Sequence, residues 1–283
     1  MEALACAKLN LTLDVLGKRE DGYHEMRMVM TSVDLADRLT LEFGAGAGVS
    51  IRTNLGFLPS DRRNLAWAAA DAFAKAAGKP VDGLSIAIDK QIPVCAGMAG
   101  GSSDAAAVLR ALNRWAGEPL PQGALMAAGA LVGSDVPYCV LGGTALAEGR
   151  GERLTALAAL PPCWVVVCKP DFSVSTPELF AQIDRVKLRR RPDTAGMLEA
   201  LEHGDLAGAA RRMYNVFEDV LPERRRNTVA AIKNTLIQWG ALGATMSGTG
   251  PTAFGLFDRE EQARLAWEAL RSEYRDTFLT HTV

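Results

Sequence analysis

The sequence predicts an α+β protein of two domains, and three observations point there. Segments with strand periodicity alternate with segments of helical periodicity along the chain. At 283 residues there is room for about two domains of roughly 150 residues each. The pair Pro161-Pro162 reads as the linker, which gives domains 1–160 and 161–283. A composition 48% apolar and 23% charged supports a packed core and excludes disorder or collagen-like repetition.

The first element is a strand over 7–15. Its period of two puts Leu9, Leu11, Leu13 and Val15 on one face and Lys8, Asn10, Thr12 and Asp14 on the other. Four polar side chains turned the same way make a half-buried strand whose second face meets water or a ligand. Lys18 to Gly22 supplies turn chemistry, with Asp21-Gly22 as the hairpin signal and Tyr23-His24 directly after it. A strand follows at 39–43, then a flexible turn at 44–48. Helical spacing runs from Asn64 to Ala77 and stops at Gly78. A strand at 84–88 ends at Asp89-Lys90 and opens into a small-residue loop, 93–103. The next helix passes through Trp115 and closes at Gly117, and another covers 122–132. Gly133-Ser134-Asp135-Val136-Pro137 interrupts it, and a strand or edge segment continues through Leu141 and 145–147.

Beyond the linker, 164–168 reads as a buried strand. Thr176-Pro177 has the form of a cap followed by Pro at the first helical position, opening a helix through Phe180. Helices at 196–213 and 223–239 follow. A turn at 247–251 lies between strands 242–247 and 252–257, and a helix at 259–274 and a strand at 277–282 finish the chain. The second half is thus an α+β sandwich.

Charge narrows the partners. With 31 Lys+Arg against 33 Asp+Glu, net −2, no broad positive field favours nucleic acid. The two densest basic stretches are Lys187 with Arg189, Arg190 and Arg191, and Arg224 to Arg226. They read as solvated faces, with a local acidic or phosphate contact as the alternative. No apolar run reaches the roughly 18 residues a membrane span needs, and the start lacks the pattern of a secretory signal. Five cysteines (Cys6, Cys95, Cys139, Cys163, Cys168) without a CxxC pair, and scattered His24, His203 and His281, suggest neither disulfides nor zinc. A cytoplasmic protein, monomer or weak homodimer, is expected.

The loop Pro93-Val94-Cys95-Ala96-Gly97-Met98-Ala99-Gly100-Gly101-Ser102-Ser103 is the chemically informative stretch. Small residues let successive backbone N–H groups approach an anion, and the helix mouth adds unpaired N–H groups and the positive end of its dipole. Hydroxyls of Ser102 and Ser103 suit phosphate oxygens or a phosphate-held Mg²⁺. Asp104, in the first turn, repels phosphate, so it points away or acts through a metal. No Walker A string or protein-kinase signature occurs, and a tight packing loop is the alternative. Gly248-Thr249-Gly250 precedes a strand, which rules out a dinucleotide fingerprint. Phosphoryl transfer asks mainly for positioning, charge neutralisation and a group to accept or orient the hydroxyl proton. Asp135, before the interruption at Pro137, suits the last task unless it is a surface cap. Lys8 can polarise the hydroxyl unless it is merely solvated.

These segments together resemble the GHMP kinase superfamily. The resemblance rests on Ala7-Lys8-Leu9-Asn10-Leu11, Asp21-Gly22-Tyr23-His24, the loop from Pro93 through Asp104-Ala105-Ala106, Gly133-Ser134-Asp135-Val136-Pro137 and Gly248-Thr249-Gly250, in that order. The first two motifs single out the branch acting on a cytidine-diphosphate sugar alcohol in non-mevalonate isoprenoid synthesis. Homoserine- or mevalonate-type kinases and a non-catalytic nucleotide sensor are the rival readings. The resemblance implies ATP and Mg²⁺, and an N-terminal α/β domain with a left-handed βαβ crossover beside a ferredoxin-like C-terminal domain. It implies catalytic roles for Lys8 and Asp135 with Asn10 nearby, and residues 93–103 as the ATP phosphate loop, Ser102 reaching Mg²⁺. Asn64 and Lys90 would line the adenosine side. Tyr23 would stack on the cytosine, His24 would hydrogen-bond it, and Phe180, in the motif opened by Thr176, would cover its other face. Ala99 stands where the family's loop has Gly, and its Cβ resists positive φ.

Overall fold

The computed structural model describes residues 1–44 and 46–283; Ala45, within the turn expected at 44–48, lies outside them. The chain forms two compact units. The first comprises Met1–Ala7, Leu35–Ile92 and Ala99–Gly142, and the second Lys8–Asp34, Pro93–Met98 and Gly143–Val283. This division differs from a cut at Pro161-Pro162. The two longest strands, β1 (Glu2–Lys18) and β2 (His24–Phe43), contribute residues to both units.

In the first unit, β3 (Val49–Thr53), α1 (Leu65–Ala77) and β4 (Leu84–Asp89) form a βαβ unit with β3 and β4 parallel. The second half of β2 pairs antiparallel with β4, from Arg38 opposite Asp89 to Phe43 opposite Leu84. Asn64 caps α1 by accepting from Ala66 N (3.0 Å), and Gly78 closes it at φ 61°. Buried Ala66, Ala69, Ala70 and Ala72 permit close packing of α1 on α2 (Gly100–Trp115). Next come α3 (Gln122–Ala130) and α4 (Val136–Leu141). The strand expected through Leu141 is therefore a helix. Pro137 sits in its first turn, where a missing N–H costs nothing, so Pro starts this element rather than merely breaking the last.

In the second unit, one sheet runs β6-β5-β2-β1-β8, with β5 (Thr144–Gly149), β6 (Arg153–Ala156) and the two-residue β8 (Tyr214–Asn215). The other runs β11-β7-β10-β9, built from β7 (Trp164–Lys169), β9 (Gly243–Met246), β10 (Ala253–Phe257) and β11 (Asp276–His281). All its pairings are antiparallel. Numbered in their own order, these four strands lie 4-1-3-2. With α8 (Glu223–Gln238) and α9 (Glu260–Arg271) as crossovers, this is the ferredoxin-like arrangement.

Between β7 and β8 lie α5 (Thr176–Ile183), α6 (Thr194–Glu202) and α7 (Leu206–Arg211). The single helix expected at 196–213 is thus two. Gly204 turns left-handed at φ 64°, and Asp205 caps the second helix by accepting from Gly208 N (2.8 Å). Strand β2 starts 15 residues before the expected 39–43, because residues 28–33 are buried on both faces and show no alternation. No helix among the described residues is long and apolar enough to cross a membrane.

Candidate active site

The site residues expected from the sequence fall into two groups, one in each unit. In the second unit, the polar face of β1 is wholly buried rather than wet: Lys8 is 4% exposed, Asn10 and Thr12 0%, Asp14 5%. Each finds a partner there. Lys8 Nζ donates to Asn10 Oδ1 (2.6 Å), Thr12 Oγ1 accepts from Val29 N (3.2 Å), and Asp14 pairs with Arg191 (2.6 Å). Lys8 also donates its backbone N–H to Met98 O (3.2 Å). It makes no ion pair among the described residues, so a buried ammonium is held by a neutral amide alone. Such a group is short of negative charge and favours an anion arriving beside it.

Asn10 ties this lysine to the turn after β9. Its Oδ1 also accepts from Gly248 N (3.0 Å), and its backbone N–H donates to Ser247 Oγ (3.2 Å). Ser247 Oγ in turn donates to Gly97 O (2.9 Å). The two turns meet so closely that a Cβ on Gly97 would lie 2.2 Å from Ser247 O, and one on Gly248 2.7 Å from Gly97 O. Both must be glycine. Buried Asn215 fixes the far side by donating to Met246 O and Gly248 O, both 2.7 Å, while its Oδ1 accepts from Phe217 N (2.9 Å). Sequence reasoning missed Asn215, an isolated amide in an apolar stretch with no motif around it.

The aromatic residues gather in the same unit. The His24 ring stacks on Phe180 (centroids 4.5 Å, planes 22° apart), and Phe180 meets Phe217 edge-on at 5.0 Å. His24 Nε2 lies 2.7 Å from Asp184 Oδ1, and that hydrogen bond holds the Asp184 carboxyl below its ordinary range. Asp184, one turn after Phe180 and directly after the end of α5, was legible by helical spacing and was missed. Tyr23 is 55% exposed, with the Arg150 guanidinium over its ring at 4.9 Å. Thr176 Oγ1 lies 2.9 Å from Thr249 Oγ1. Within the loop, Ala96 and Met98 are buried, Pro93 and Val94 are half-buried, and Cys95 is exposed.

In the first unit, Ala99 opens α2 at φ 58°, ψ 29°. This chain therefore adopts with alanine the left-handed turn that glycine would take more easily. Ser103 N donates to Ala99 O (2.8 Å), and the first-turn N–H groups of Gly100, Gly101 and Ser102 have no partner within the helix. The two serines differ. Among the described residues Ser102 keeps a free hydroxyl, whereas Ser103, 1% exposed, donates its own to Cys6 O (2.7 Å). The Ser103 hydroxyl faces inward, which corrects the expectation that both meet phosphate.

Asp104 also turns inward, toward Lys90 Nζ (2.6 Å), which bonds Asp37 on its other side. Asp37 accepts further from Gln91 N (2.6 Å) and Ile92 N (2.8 Å). One ammonium thus serves two buried carboxyls, and Asp104 Oδ1 has no partner. Burial, then the Asp37 charge, push the Asp104 carboxyl up against the pull of Lys90. Burial lowers the Lys90 ammonium, but the two carboxylates outweigh it and the net shift is upward. Lys90 spends its side chain in this triad rather than on a nucleoside. Asn64 likewise spends its amide on the α1 cap and on Pro59 O (2.8 Å). Any part either takes in holding adenosine falls to its backbone or to a rearranged side chain. Asp135, the residue before α4, makes no side-chain capping bond and no ion pair among the described residues, so its half-buried carboxylate is free there. It stands at the N-cap position, but its side chain does not cap the helix.

Known proteins match this architecture. The profile "GHMP kinases N terminal domain" matches residues 64–143, and "GHMP kinases C terminal" matches 197–276. A 4-diphosphocytidyl-2-C-methyl-D-erythritol kinase of Alkaliphilus metalliredigens is 44% identical over 98% of this chain and 94% of its own length. The protein of that name from Brevibacillus brevis is 46% identical over 97% and 94%. A crystal structure of a 4-(cytidine 5'-diphospho)-2C-methyl-D-erythritol kinase superposes with a TM-score of 0.82 at 36% identity, covering 100% of this chain and 99% of the other. Homoserine kinase of Cytophaga hutchinsonii, at 19% identity and TM-score 0.75 over 100% of this chain and 94% of its own, shares the fold. This chain belongs to the GHMP kinases, within the 4-diphosphocytidyl-2-C-methyl-D-erythritol kinase family.

Proposed function

We propose that the protein transfers the γ-phosphoryl group of ATP to the 2-hydroxyl of 4-diphosphocytidyl-2-C-methyl-D-erythritol. The observation that carries this reading is Lys8, a buried ammonium whose side chain has only a neutral amide as partner. It stabilises the developing alkoxide and the transferring phosphoryl group. Asp135, with its free carboxylate, orients the hydroxyl and takes up its proton as the oxygen–phosphorus bond forms. Full deprotonation before attack is not needed, since a loose transition state demands little nucleophilicity. The first-turn N–H groups of α2 receive phosphate oxygens. Mg²⁺, when bound, neutralises phosphate charge. Among the described residues no cluster of three His, Cys, Asp or Glu could cage it. The ion would be carried mainly by phosphates, with the Ser102 hydroxyl as its protein contact. The cytosine is held by His24, Phe180 and Tyr23, with Thr176 at the edge.

An ADP-release assay with the cytidyl substrate, homoserine and mevalonate tests the choice. Turnover with the first alone is expected, and turnover with either of the others but not the first overturns it. Asp135→Asn should lower kcat at least a hundredfold while ATP still binds; near-normal turnover would remove Asp135 from the mechanism.

A further inference from the structure

The two basic stretches of the sequence, about 35 residues apart, line one cavity of about 570 Å³ in the second unit. Lys187, Arg189 and Arg190 come from the segment after α5, and Arg226 and Lys233 from α8. Two acids share the lining, and both are already engaged. Glu218 pairs with Lys233 and also accepts from Thr245 Oγ1 (2.8 Å) and Met246 N (2.9 Å). Asp219 accepts from the Tyr214 hydroxyl (2.7 Å). Arg190 lies over the Tyr214 ring at 4.8 Å. Lys187, Arg189, Arg190 and Arg226 make no ion pair among the described residues.

The floor of the cavity is apolar. Leu221 and Val229 beneath it are 3% and 1% exposed, so the accessible apolar surface comes from Val186, 47% exposed, and half-buried Leu188. Four cations without an ion pair, against the single Asp219 carboxylate, beside the accessible side chains of Val186 and Leu188 suit an anion of two or more charges that carries a hydrocarbon or ring. Guanidinium forks match phosphate oxygens bidentately, and a diphosphate is large enough to meet cations from both stretches at once. The cavity is distinct from the aromatic group. Phe217 meets Phe180, whereas the next two residues, Glu218 and Asp219, line this cavity. We propose that this cavity is a second, non-catalytic binding site for an organic diphosphate, held by Lys187, Arg189 and Arg226 with its apolar body on Val186 and Leu188.

The test is calorimetric titration of the full-length enzyme, with ADP present at saturation to block the phosphate loop. Inorganic pyrophosphate and n-butyl diphosphate are the probes, at physiological salt. The expected result is one-to-one binding of both, with the butyl compound about tenfold tighter through the burial of its chain. An Arg189→Ala, Arg226→Ala double variant should bind either probe at least tenfold more weakly. Its unfolding temperature and basal kcat should be unchanged, since neither residue belongs to the catalytic group. Three results would overturn the proposal: no binding of either probe at millimolar concentration, equal affinity for the two, or binding that the double variant leaves intact. Any of these returns the basic stretches to the status of a solvated face.

Discussion

Ala99 and Asp104 show how single residues at one helix mouth carry opposite costs. Ala99 holds φ 58°, and Cys95, four residues earlier, holds φ 54°. A left-handed conformation costs a residue with a Cβ roughly 1–2 kcal/mol. Ala99→Gly removes that cost but adds about 0.4–1 kcal/mol of unfolded-chain freedom. The net expectation is a gain of about 0.5–1 kcal/mol, read as a higher denaturant midpoint; a lower midpoint would show that the alanine is unstrained. Asp104 stores its cost in charge. Burial raises its folded value, while the unfolded carboxyl ionises at the ordinary 3.8. Above that pH the unfolded chain therefore holds fewer protons than the folded one, and stability falls as pH rises toward the raised value. Asp104→Asn should flatten this decline without deepening it at pH 4. A variant whose stability still falls in parallel with the parent would place the proton elsewhere. Alternation made Lys8 and Asn10 legible from the sequence. Their partner Ser247 was not, because it lies 237 residues from Asn10 and only the folded sheet brings it near.

Among the elements, the smallest does the most to shape the turn after β9. Strand β8 has two residues, Tyr214 and Asn215, paired parallel to β1 at Thr12 and Leu13. It delivers the Asn215 amide to two carbonyls of the turn whose Gly248 N–H meets Asn10, and through Asn10 the chain of bonds reaches Lys8. Asn215→Ala leaves two buried acceptors unpaired, a loss of about 2–3 kcal/mol. If Asn215 positions Lys8, kcat should fall at least tenfold with the KM for ATP little changed. A purely structural role would lower stability and leave kcat alone. Long elements with one clean period, α1 and α2, were legible from Ala spacing and their Gly stops. Strand β2 was not, since Met26, Met28, Val29 and Met30 are all buried and leave no polar face to mark the register. The break between α6 and α7 was written as His203-Gly204-Asp205, a stop followed by a cap, and helical composition on both sides masked it.

Across the whole molecule the fold is a weak guide to substrate. A mevalonate kinase of L. major shares it at TM-score 0.76 with 18% identity, and the homoserine kinase at 0.75 with 19%. A scaffold this widely shared leaves the choice of substrate to a few side chains. On the reading proposed above, the distinguishing group here is the stacked His24–Phe180 pair with Asp184 behind it. A flat, hydrogen-bonding base gains from such a group, whereas a short aliphatic acid gains little, since stacking is worth roughly 1–3 kcal/mol per base. Phe180→Leu keeps an apolar side chain in contact with Phe217 but removes the flat face. The KM for the cytidyl substrate should therefore rise about tenfold, with the KM for ATP and the melting temperature close to the parent's. Asp184→Asn tests the same group from its other side. It weakens the hold on His24 and should raise the same KM without touching ATP. If both variants lower the melting temperature and leave the cytidyl KM alone, the aromatic group serves folding rather than recognition, and specificity must be sought among the other residues of β1 and its partners.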